Sequence, residues 1–284
     1  MPYQSVFRPD LFKGQTIIVT GGGSGIGRCT THELAALGAN VAIVGRTVEK
    51  LTEVQREIEE DGGQAMSLAC DIRDETMVVG AIDAVLARYG RIDGLVNNAG
   101  GQFRSPLKAI STKGFEAVVR NNLTGGFIFM REVYNHWMEA NGGAIVNIIA
   151  DIWHGWPEFG HSAAARGGML TLTETAACEW SASGVRVNAV APGGIVSSGF
   201  DTYTPEMQKK LHDFTSACRC SASGLKPKYR PRSLTCYRRR RPTSPDPASG
   251  SMAERRMRVR PGNCSRTAAA CRSRDSIGPR CRKR

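Results

Sequence analysis

A glycine-rich stretch, TGGGSGIG at residues 20–27, is the segment of this sequence best suited to hold a charged ligand. It follows an apolar run with strand composition and opens a helical pattern, so the glycines lie in a strand–turn–helix unit. Gly21 permits a tight turn, Gly25 lets backbone N–H groups approach a pyrophosphate, and Gly27 lets the helix pack on the strand. A purely structural turn is the alternative, but this position favours a dinucleotide site. The other predicted members of the turn are Thr20, Ser24 and Ile26.

Arg46 and Asp71 follow the second and third apolar runs, where the adenosine half of a dinucleotide would lie. A carboxylate after the second strand would bind a ribose 2′-hydroxyl, whereas a cation suits a 2′-phosphate. Arg46 therefore favours NADP over NAD, and a solvated surface arginine is the other interpretation. Asp71, with Ile72 beside it, either accepts a hydrogen bond from the adenine amino group or caps the next helix.

Alternating strand and helix patterns position these residues. Strands are predicted at residues 16–19, 40–45, 65–70, 94–97, 144–149 and 185–190, and helices at residues 28–37, 48–60, 74–89, 111–138 and 161–180. Near-continuous apolar strands that alternate with helices are typical of a parallel sheet covered on both faces. The sequence thus predicts a doubly wound α/β fold with ligands at the carboxyl ends of the strands. Gly125 and Gly126 are expected to loosen the middle of the fourth helix.

Charge divides the chain into two unlike parts. The 284 residues carry 38 Lys and Arg against 26 Asp and Glu. Residues 217–284 account for 20 of those basic and 3 of those acidic groups, which leaves 18 and 23 for residues 1–216. The first part has the balance of an ordinary soluble enzyme, and the second has the composition of a basic disordered segment.

Cysteine usage and apolar runs indicate a reduced, cytoplasmic protein. The longest apolar runs are too short to span a bilayer, and the N-terminus lacks the layout of a secretory signal. Three of the nine cysteines are scattered through the first part, and six lie beyond residue 216 without C-x-x-C pairing. We expect no metal site, no membrane partner, and no peroxisomal targeting signal at this C-terminus.

Four motifs in order resemble the short-chain dehydrogenase/reductase family. They are TG and GIG within residues 20–27, NNAG at 97–100, NLTG at 122–125 and APG at 191–193. The match covers residues 14–210 and implies a Rossmann-like fold with a nicotinamide cofactor. It further implies that Asn122 holds a helix kink and a water used in proton relay, and that intact relatives are homo-oligomers. The resemblance places Asn98, Ala99, Gly100, Pro192 and Gly193 beside the cofactor.

The sequence departs from this family at its usual catalytic set, a Ser after the fifth strand and Tyr-x-x-x-Lys in the next helix. Ala150 stands where the Ser is expected, and Ser162 and Arg166 stand at the Tyr and Lys positions. The departure resembles the enoyl-CoA and 2,4-dienoyl-CoA reductase branch, in which a small residue replaces the Tyr. The segments GGQF at 100–103, SP at 105–106, VNII at 146–149 and HSAAAR at 161–166 look particularly like peroxisomal trans-2-enoyl-CoA reductases.

That branch implies NADPH-dependent reduction of a C=C bond in an acyl-CoA-type thioester. Hydride transfer to Cβ leaves an enolate, which needs hydrogen-bond donors at the thioester oxygen. Ser162 is one candidate donor, and Arg166 would grip the nicotinamide ribose and hold positive potential near the enolate. Arg166 cannot act as an acid, so the proton at Cα comes from another group.

Asp151 is the first candidate for that proton, provided that Trp153 and Trp156 bury its carboxyl group. A solvent-exposed loop Asp is the alternative. His154 and His161 are rivals, although a lone histidine is more often structural. The two tryptophans either line an acyl channel or pack under a loop.

The tail departs from the family altogether. We predict an N-terminal arm over 1–13 and a dinucleotide-binding reductase domain over 14–211, and composition predicts a basic tail, rich in Arg, Ser, Pro and Cys, over 212–284. Read one base out of frame, residues 217–253 permit family-like sequence, so we interpret the tail as an out-of-frame translation of the enzyme's own C-terminal region. The expected last strand would then be missing, which exposes a sheet edge. We expect a poorly stable, inactive chain; soluble, fully active protein would contradict this.

Three rival functions stay open at this point. A reductase of ketones or 3-oxoacyl thioesters keeps the enzyme class, but the missing Tyr argues against it. A cofactor-binding pseudoenzyme, inactivated by the altered C-terminus, is supported by the loss of both Tyr and Lys. A nucleic-acid-binding role rests on the arginine run at 238–241 and is not expected, despite the basic tail.

Overall fold

The computed structural model describes residues 5–153, 155–193 and 195, which build one parallel sheet with helices on both faces. The strands are β1 (Thr16–Thr20), β2 (Asn40–Gly45), β3 (Gln64–Ala69), β4 (Gly94–Asn97), β5 (Gly143–Ile148) and β6 (Val185–Val190). Their order in the sheet is β3-β2-β1-β4-β5-β6. The chain therefore runs outward from β1 and returns to its other side, which places a topological switch point between β1 and β4. The predicted doubly wound sheet is confirmed.

Helices connect the strands and begin or end within a few residues of the predicted bounds. They are α1 (Gly25–Ala36), α2 (Val48–Glu60), α3 (Glu75–Tyr89), α4 (Thr112–Val119), α5 (Gly125–Val133), α6 (Glu139–Asn141) and α7 (Gly160–Glu179). Short 3-10 turns occupy Leu107–Ala109 and Ser181–Ser183, and π-helical turns occupy Arg120–Thr124 and Tyr134–Met138.

The sheet separates two apolar layers because successive side chains of a strand face opposite sides. On β1, Ile18 packs into one layer, whereas Ile17 and Val19 pack into the other. The first layer is closed by α3 and α5, and the second by α1 and α2. Register is fixed along the whole sheet, from Thr16 opposite Asn40 to Ile148 opposite Val190. This rigid frame fixes the strand ends at which the site is built.

The fourth predicted helix differs from expectation in where it is irregular. Its π-helical turn, Arg120–Thr124, precedes Gly125 and Gly126, and both glycines lie in regular α-helix. A Cβ on Gly125 would lie 2.7 Å from Ile72 Cδ1, and one on Gly126 would lie 2.6 Å from Met169 Cε. The glycines therefore serve close packing, and the expectation that they loosen the helix is wrong.

The structure describes most of the predicted N-terminal arm but none of the predicted basic tail. The part of the predicted N-terminal arm that the structure describes, residues 5–13, forms turns against the end of α1, where the Phe12 N–H donates to the Leu37 carbonyl at 2.9 Å. No helix within the described ranges is long and apolar enough to cross a bilayer. The predicted basic tail over 212–284, and the predicted loss of a last strand, lie outside the described residues.

Candidate active site

The glycine turn after β1 forms the floor of the predicted dinucleotide site. The Gly21 N–H donates to the Val44 carbonyl at 2.7 Å, and Gly21 and Gly25 have left-handed φ angles of 66° and 53°. A Cβ on Gly27 would lie 2.2 Å from the Gly21 oxygen and 2.5 Å from Asn98 Nδ2, so only glycine fits there. The tight turn at Gly21 and the close packing at Gly27 are confirmed, whereas cofactor contact stays a prediction.

The start of α1 is open to an anion. Ser24 is the N-cap residue, and its exposed hydroxyl makes no capping hydrogen bond within the described part of the chain. Ile26, in the first turn, is half-buried. The first backbone N–H groups of α1 are thus left without a side-chain cap, and the helix dipole favours negative charge at this end. These features suit the predicted pyrophosphate contact.

Thr20 and Asn98 tie the carboxyl ends of β1 and β4 together. The Thr20 hydroxyl accepts from the backbone N–H groups of Asn98 and Ala99, both at 3.0 Å. In return, Asn98 Nδ2 donates to the carbonyls of Thr20 at 3.0 Å and Gly21 at 3.2 Å. The buried Thr20 side chain therefore positions the turn and is not free to contact a cofactor, which corrects the role predicted for it.

A cleft of about 160 Å³ runs along these strand ends. Seven predicted cofactor-binding residues line it, namely Gly21, Ser24, Arg46, Asp71, Ile72, Ala99 and Gly100. Seven further lining residues are Gly23, Gly45, Thr47, Lys50, Leu51, Cys70 and Asn121. The structure thus brings together segments that follow β1, β2, β3 and β4, as expected for the edge of a doubly wound sheet.

Two cations stand at the β2 side of this cleft. Arg46 follows β2, and Lys50 lies in the first turn of α2; both are exposed, and neither has an ion-pair partner among the described residues. A Cβ on Gly23 would lie 3.2 Å from both Lys50 Cβ and Leu51 Cδ2, so the start of α2 packs directly on the glycine turn. Lys50 escaped the sequence analysis, although its spacing of four residues from Arg46 was a usable signal.

Asp71 lines the cleft but is already paired. Its carboxylate accepts from the Arg73 backbone N–H at 3.0 Å and from Arg73 Nε at 2.8 Å. These hydrogen bonds hold the pKa of Asp71 at about 2, so the group is ionised at neutral pH. The helix-capping alternative is wrong, because the N-cap of α3 is Asp74, which accepts from the Met77 N–H at 3.2 Å.

Arg166 lies deep in the site, on the second turn of α7. Its Nη1 donates to the Ile148 carbonyl at the end of β5 at 2.6 Å, and its Nη2 donates to Asn122 Oδ1 at 3.0 Å. Burial lowers the pKa of Arg166 to about 10, which still leaves the guanidinium charged at neutral pH. No carboxylate of the described residues pairs with it. The site thus holds a half-buried positive charge that no carboxylate of the described residues balances.

Ser162 lies one turn earlier on α7 and is fully buried. Its hydroxyl donates to Gln102 Oε1 at 2.6 Å, so its proton is already used inside the protein. The expectation that Ser162 itself donates to a thioester oxygen is therefore wrong for this arrangement. The half-buried Gln102 amide nitrogen, which has no partner among the described residues, is the available donor. The sequence analysis noted Gln102 only as part of a motif.

His161 is buried beside Ser162. Its Nδ1 accepts from the Ser162 backbone N–H at 2.8 Å, so Nε2 carries the proton of the neutral ring. That Nε2 has no hydrogen-bond partner in the described part of the chain. The ring meets Phe103 edge-on, with centroids 4.5 Å apart. His161 therefore has a packing role, and its unpaired N–H keeps it a candidate proton donor.

Asn122 sits in the first π-helical turn, where the hydrogen-bond pattern of the helix is irregular, and its role at a helix kink stays a prediction. Its Nδ2 donates to the Gly101 carbonyl at 2.7 Å, and its Oδ1 accepts from the Gly101 N–H at 3.0 Å. The same oxygen also accepts a hydrogen bond from Arg166 Nη2. Asn122 thus fixes the loop after β4 to the guanidinium, and its part in a proton relay stays a prediction.

Asp151 does not have the environment that a protonated carboxyl group needs. The residue is exposed, Trp153 is 49% exposed, and Trp156 packs instead on Phe159 with ring centroids 5.0 Å apart. Of the two alternatives for Asp151, the solvent-exposed loop Asp is confirmed, and burial by the two tryptophans is not found. His154, the other rival, lies outside the described residues.

Pro192 and Gly193 follow β6 at the same edge of the sheet. Pro192 is half-buried and Gly193 is exposed, with open space around the position of a Cβ. Neither residue lines the cleft of about 160 Å³. If these residues contact a cofactor as predicted, they contact its nicotinamide end, which would lie beyond that cleft.

Comparisons with known proteins agree with this geometry. A family model described as short chain dehydrogenase matches residues 15–208. The peroxisomal 2,4-dienoyl-CoA reductase, (3E)-enoyl-CoA-producing, of Danio rerio is 35% identical over 203 residues, which cover 71% of this chain and 67% of that protein. The 3beta-hydroxysteroid dehydrogenase 1 of Eggerthella lenta is 36% identical over 190 residues, 66% of this chain and 72% of that protein.

A solved structure gives a higher identity. The chain is 61% identical to the citronellol catabolism dehydrogenase (AtuB) of Pseudomonas aeruginosa PAO1, with a TM-score of 0.65. The match covers 67% of this chain and 79% of that one.

Proposed function

Since this chain belongs to the short chain dehydrogenase family and is by that membership an oxidoreductase, we propose that it reduces the C=C bond of a 2-enoyl-CoA-like or 2,4-dienoyl-CoA-like thioester with NADPH. One observation carries the proposal. The α7 positions that would hold a phenol and an amine for carbonyl chemistry hold Ser162, bonded to Gln102, and the half-buried Arg166, which has no counter-ion among the described residues. This arrangement supports stabilisation of an anion and offers no phenolic acid.

NADPH fits the residues present. The glycine turn lines the cleft with Gly21, Gly23 and Ser24, and the start of α1 is open to a pyrophosphate. Arg46 and Lys50 would hold a 2′-phosphate, and Arg166 with Asn98 would hold the nicotinamide half. When bound, NADPH supplies a hydride. Every other function of the site falls to side chains of this chain.

Removing the charge of Lys50 tests the phosphate assignment. We expect Lys50→Ala to raise the Kd for NADPH about ten-fold, because one charge-assisted hydrogen bond is lost, while binding of NADH is unchanged. Arg46→Ala should act in the same direction, and the double variant should bind both cofactors about equally. Arg56→Ala is the control, since Arg56 pairs with Glu60 on the same helix. Equal losses for NADPH and NADH would contradict the assignment.

The proposed chemistry places a developing negative charge on the thioester oxygen. The Gln102 amide would donate to that oxygen, and Ser162 would hold the amide in place through its 2.6 Å hydrogen bond. Arg166 adds positive potential while staying charged. A proton enters at Cα from another group. A 2-enoyl thioester then gives the saturated thioester, and a 2,4-dienoyl thioester gives an enoyl thioester that keeps one C=C bond. Asn122 keeps Arg166 and the loop that carries Gln102 in register.

A second candidate function is favoured by the 61% identity to a structure titled citronellol catabolism dehydrogenase. Citronellol is a branched terpenoid alcohol, so this chain would then oxidise an alcohol of that type with NADP⁺. Alcohol oxidation needs a base to take the hydroxyl proton. Neither Ser162 nor Arg166 supplies one, which favours the thioester. A branched, terpenoid-derived thioester would satisfy both observations.

Turnover assays separate these functions. We expect NADPH to be consumed with crotonyl-CoA or sorboyl-CoA, and no reduction of NADP⁺ with citronellol. Both the full chain and a chain with its C-terminal frame restored from the source DNA should be assayed, because we propose that the frame is lost past residue 216. The reverse pattern would assign an alcohol dehydrogenase. Tight NADPH binding without turnover by either form would favour a pseudoenzyme.

We also propose a cytoplasmic location. Cys29, Cys70 and Cys178 are free thiols in the described structure, and free thiols persist in a reducing compartment.

A further inference from the structure

The loop after β4 and the start of α7 contact each other residue by residue. We call this contact the loop–helix clasp, formed by residues 102–107 and 158–162. From the inside outward its contacts are Gln102 with Ser162 at 2.6 Å, Phe103 with His161 at 4.5 Å between ring centroids, and Arg104 with Glu158. The two segments run antiparallel, so the innermost contact is the donor pair of the site and the outermost is an ion pair.

The outermost contact is the most elaborate. Arg104 Nε and Nη2 donate to the two carboxylate oxygens of Glu158 at 2.7 and 2.6 Å, which is bidentate geometry across 54 residues of sequence. The Ser105 N–H donates to the Glu158 carbonyl at 2.9 Å. Leu107 closes over the helix start, where a Cβ on Gly160 would lie 2.9 Å from Leu107 Cδ1.

Glu158 holds this geometry in a conformation that non-glycine residues rarely adopt. Its φ is 67°, in the left-handed region. Outside it, Asp10 is the one described non-glycine residue with a positive φ. Such a conformation persists where neighbouring contacts fix it, and it concentrates at functional sites. The bidentate pair and the Ser105 hydrogen bond are the contacts that fix Glu158.

We propose that Arg104 and Glu158 are positioning residues, whose ion pair holds Gln102 against Ser162. The proposal rests on the proposed function, in which Gln102 donates to the thioester oxygen. Gln102 lies two residues before Arg104, and Ser162 lies four residues after Glu158, which immediately precedes the N-cap of α7. A break in the ion pair therefore frees the loop at one end, and the Gln102 amide loses its fixed orientation.

The pair contributes little to global stability, which makes the proposal testable. The Arg104 and Glu158 side chains are 39% and 37% exposed, and solvent-exposed pairs add little to folding. A small displacement of a donor nevertheless lowers turnover strongly, by about ten- to a hundred-fold. A purely structural pair would change neither turnover nor local opening at Gln102.

The experiment compares Arg104→Ala and Glu158→Gly with Arg91→Ala, in the full chain and in the chain with its C-terminal frame restored. Glycine keeps the left-handed backbone and the carbonyl that accepts from Ser105, and removes only the carboxylate. Arg91 is the matched control, since it forms an exposed bidentate pair with Asp93 before β4, at the opposite end of that strand. Four quantities are measured for each variant. They are kcat, KM, the Kd for NADPH and the rate of amide hydrogen exchange over residues 101–107 and 158–163.

We expect both clasp variants to exchange about ten-fold faster in these two segments and to lose kcat, with the NADPH Kd unchanged. The double variant Arg104→Glu with Glu158→Arg should recover part of the loss. Exchange equal to that of Arg91→Ala, or unchanged kcat despite faster exchange, would overturn the proposal. If neither the full chain nor the frame-restored chain turns over a thioester, the proposed function fails, and the exchange result alone decides the clasp.

Discussion

Replacing Arg166 by lysine is expected to lower turnover about a hundred-fold without unfolding the protein. The guanidinium donates to two acceptors on different elements, Ile148 on β5 and Asn122 in the π-helical turn. A lysine ammonium keeps the charge but cannot reproduce this planar fork, so the charge moves and one acceptor loses its donor. Loss of one preorganised donor at a developing anion lowers turnover by roughly this amount.

Arg131→Lys is the matched control for this substitution. Arg131 lies on α5, pairs with Glu75 and Glu132, and is one-third exposed. The same chemical change there should leave kcat unaltered. Measurement of kcat, the NADPH Kd and the urea midpoint for both variants separates chemistry from stability. Full activity of Arg166→Lys would remove Arg166 from the mechanism.

Adding one methyl group at Gly27 should abolish NADPH binding. The new Cβ would lie 2.2 Å from the Gly21 carbonyl oxygen and 2.5 Å from Asn98 Nδ2, so backbone must shift. The shift separates α1 from β1 and breaks the ties between Thr20 and Asn98. We expect a loss of about 3 kcal/mol in the free energy of unfolding, the upper end for overpacking.

Gly80→Ala is the opposite case. Gly80 lies exposed in α3, with open space around the position of a Cβ. Alanine there should stabilise the fold by about 0.5–1 kcal/mol, because it restricts the unfolded chain, and should leave NADPH binding unchanged. Urea titration and NADPH binding check both variants. Equal effects at Gly27 and Gly80 would show that the glycine turn has no special steric demand.

The elements were predictable because their signals are local. β2, α2, β4 and β6 have the predicted bounds, since apolar periodicity and Asp-Gly-Gly or Pro-Gly-Gly turns mark them. The family motifs further fixed which strand ends meet. The interpretation of Gly125 and Gly126 failed because composition does not distinguish a glycine that loosens a helix from one that packs against Ile72 or Met169.

The sequence could place two site residues together only where they lie close to each other along the chain. Arg166 and Ser162 share one helix, so sequence spacing placed them together. The Gln102–Ser162 hydrogen bond and the Arg104–Glu158 pair link distant segments, and no local pattern reveals which atoms meet. For Asp151 the sequence left burial and exposure open for a related reason, because contacts between distant segments decide how far a loop residue is buried.

The position of hydride transfer tests the central claim most directly. The full chain and the chain with its C-terminal frame restored are each incubated with NADPH that carries deuterium at the transferable position. Crotonyl-CoA is offered in one reaction and a ketone or aldehyde in another, and the products are examined by NMR. The account predicts deuterium at Cβ of the saturated thioester. Deuterium on an alcohol carbon, formed from a ketone or aldehyde but never from the enoyl thioester, would contradict it.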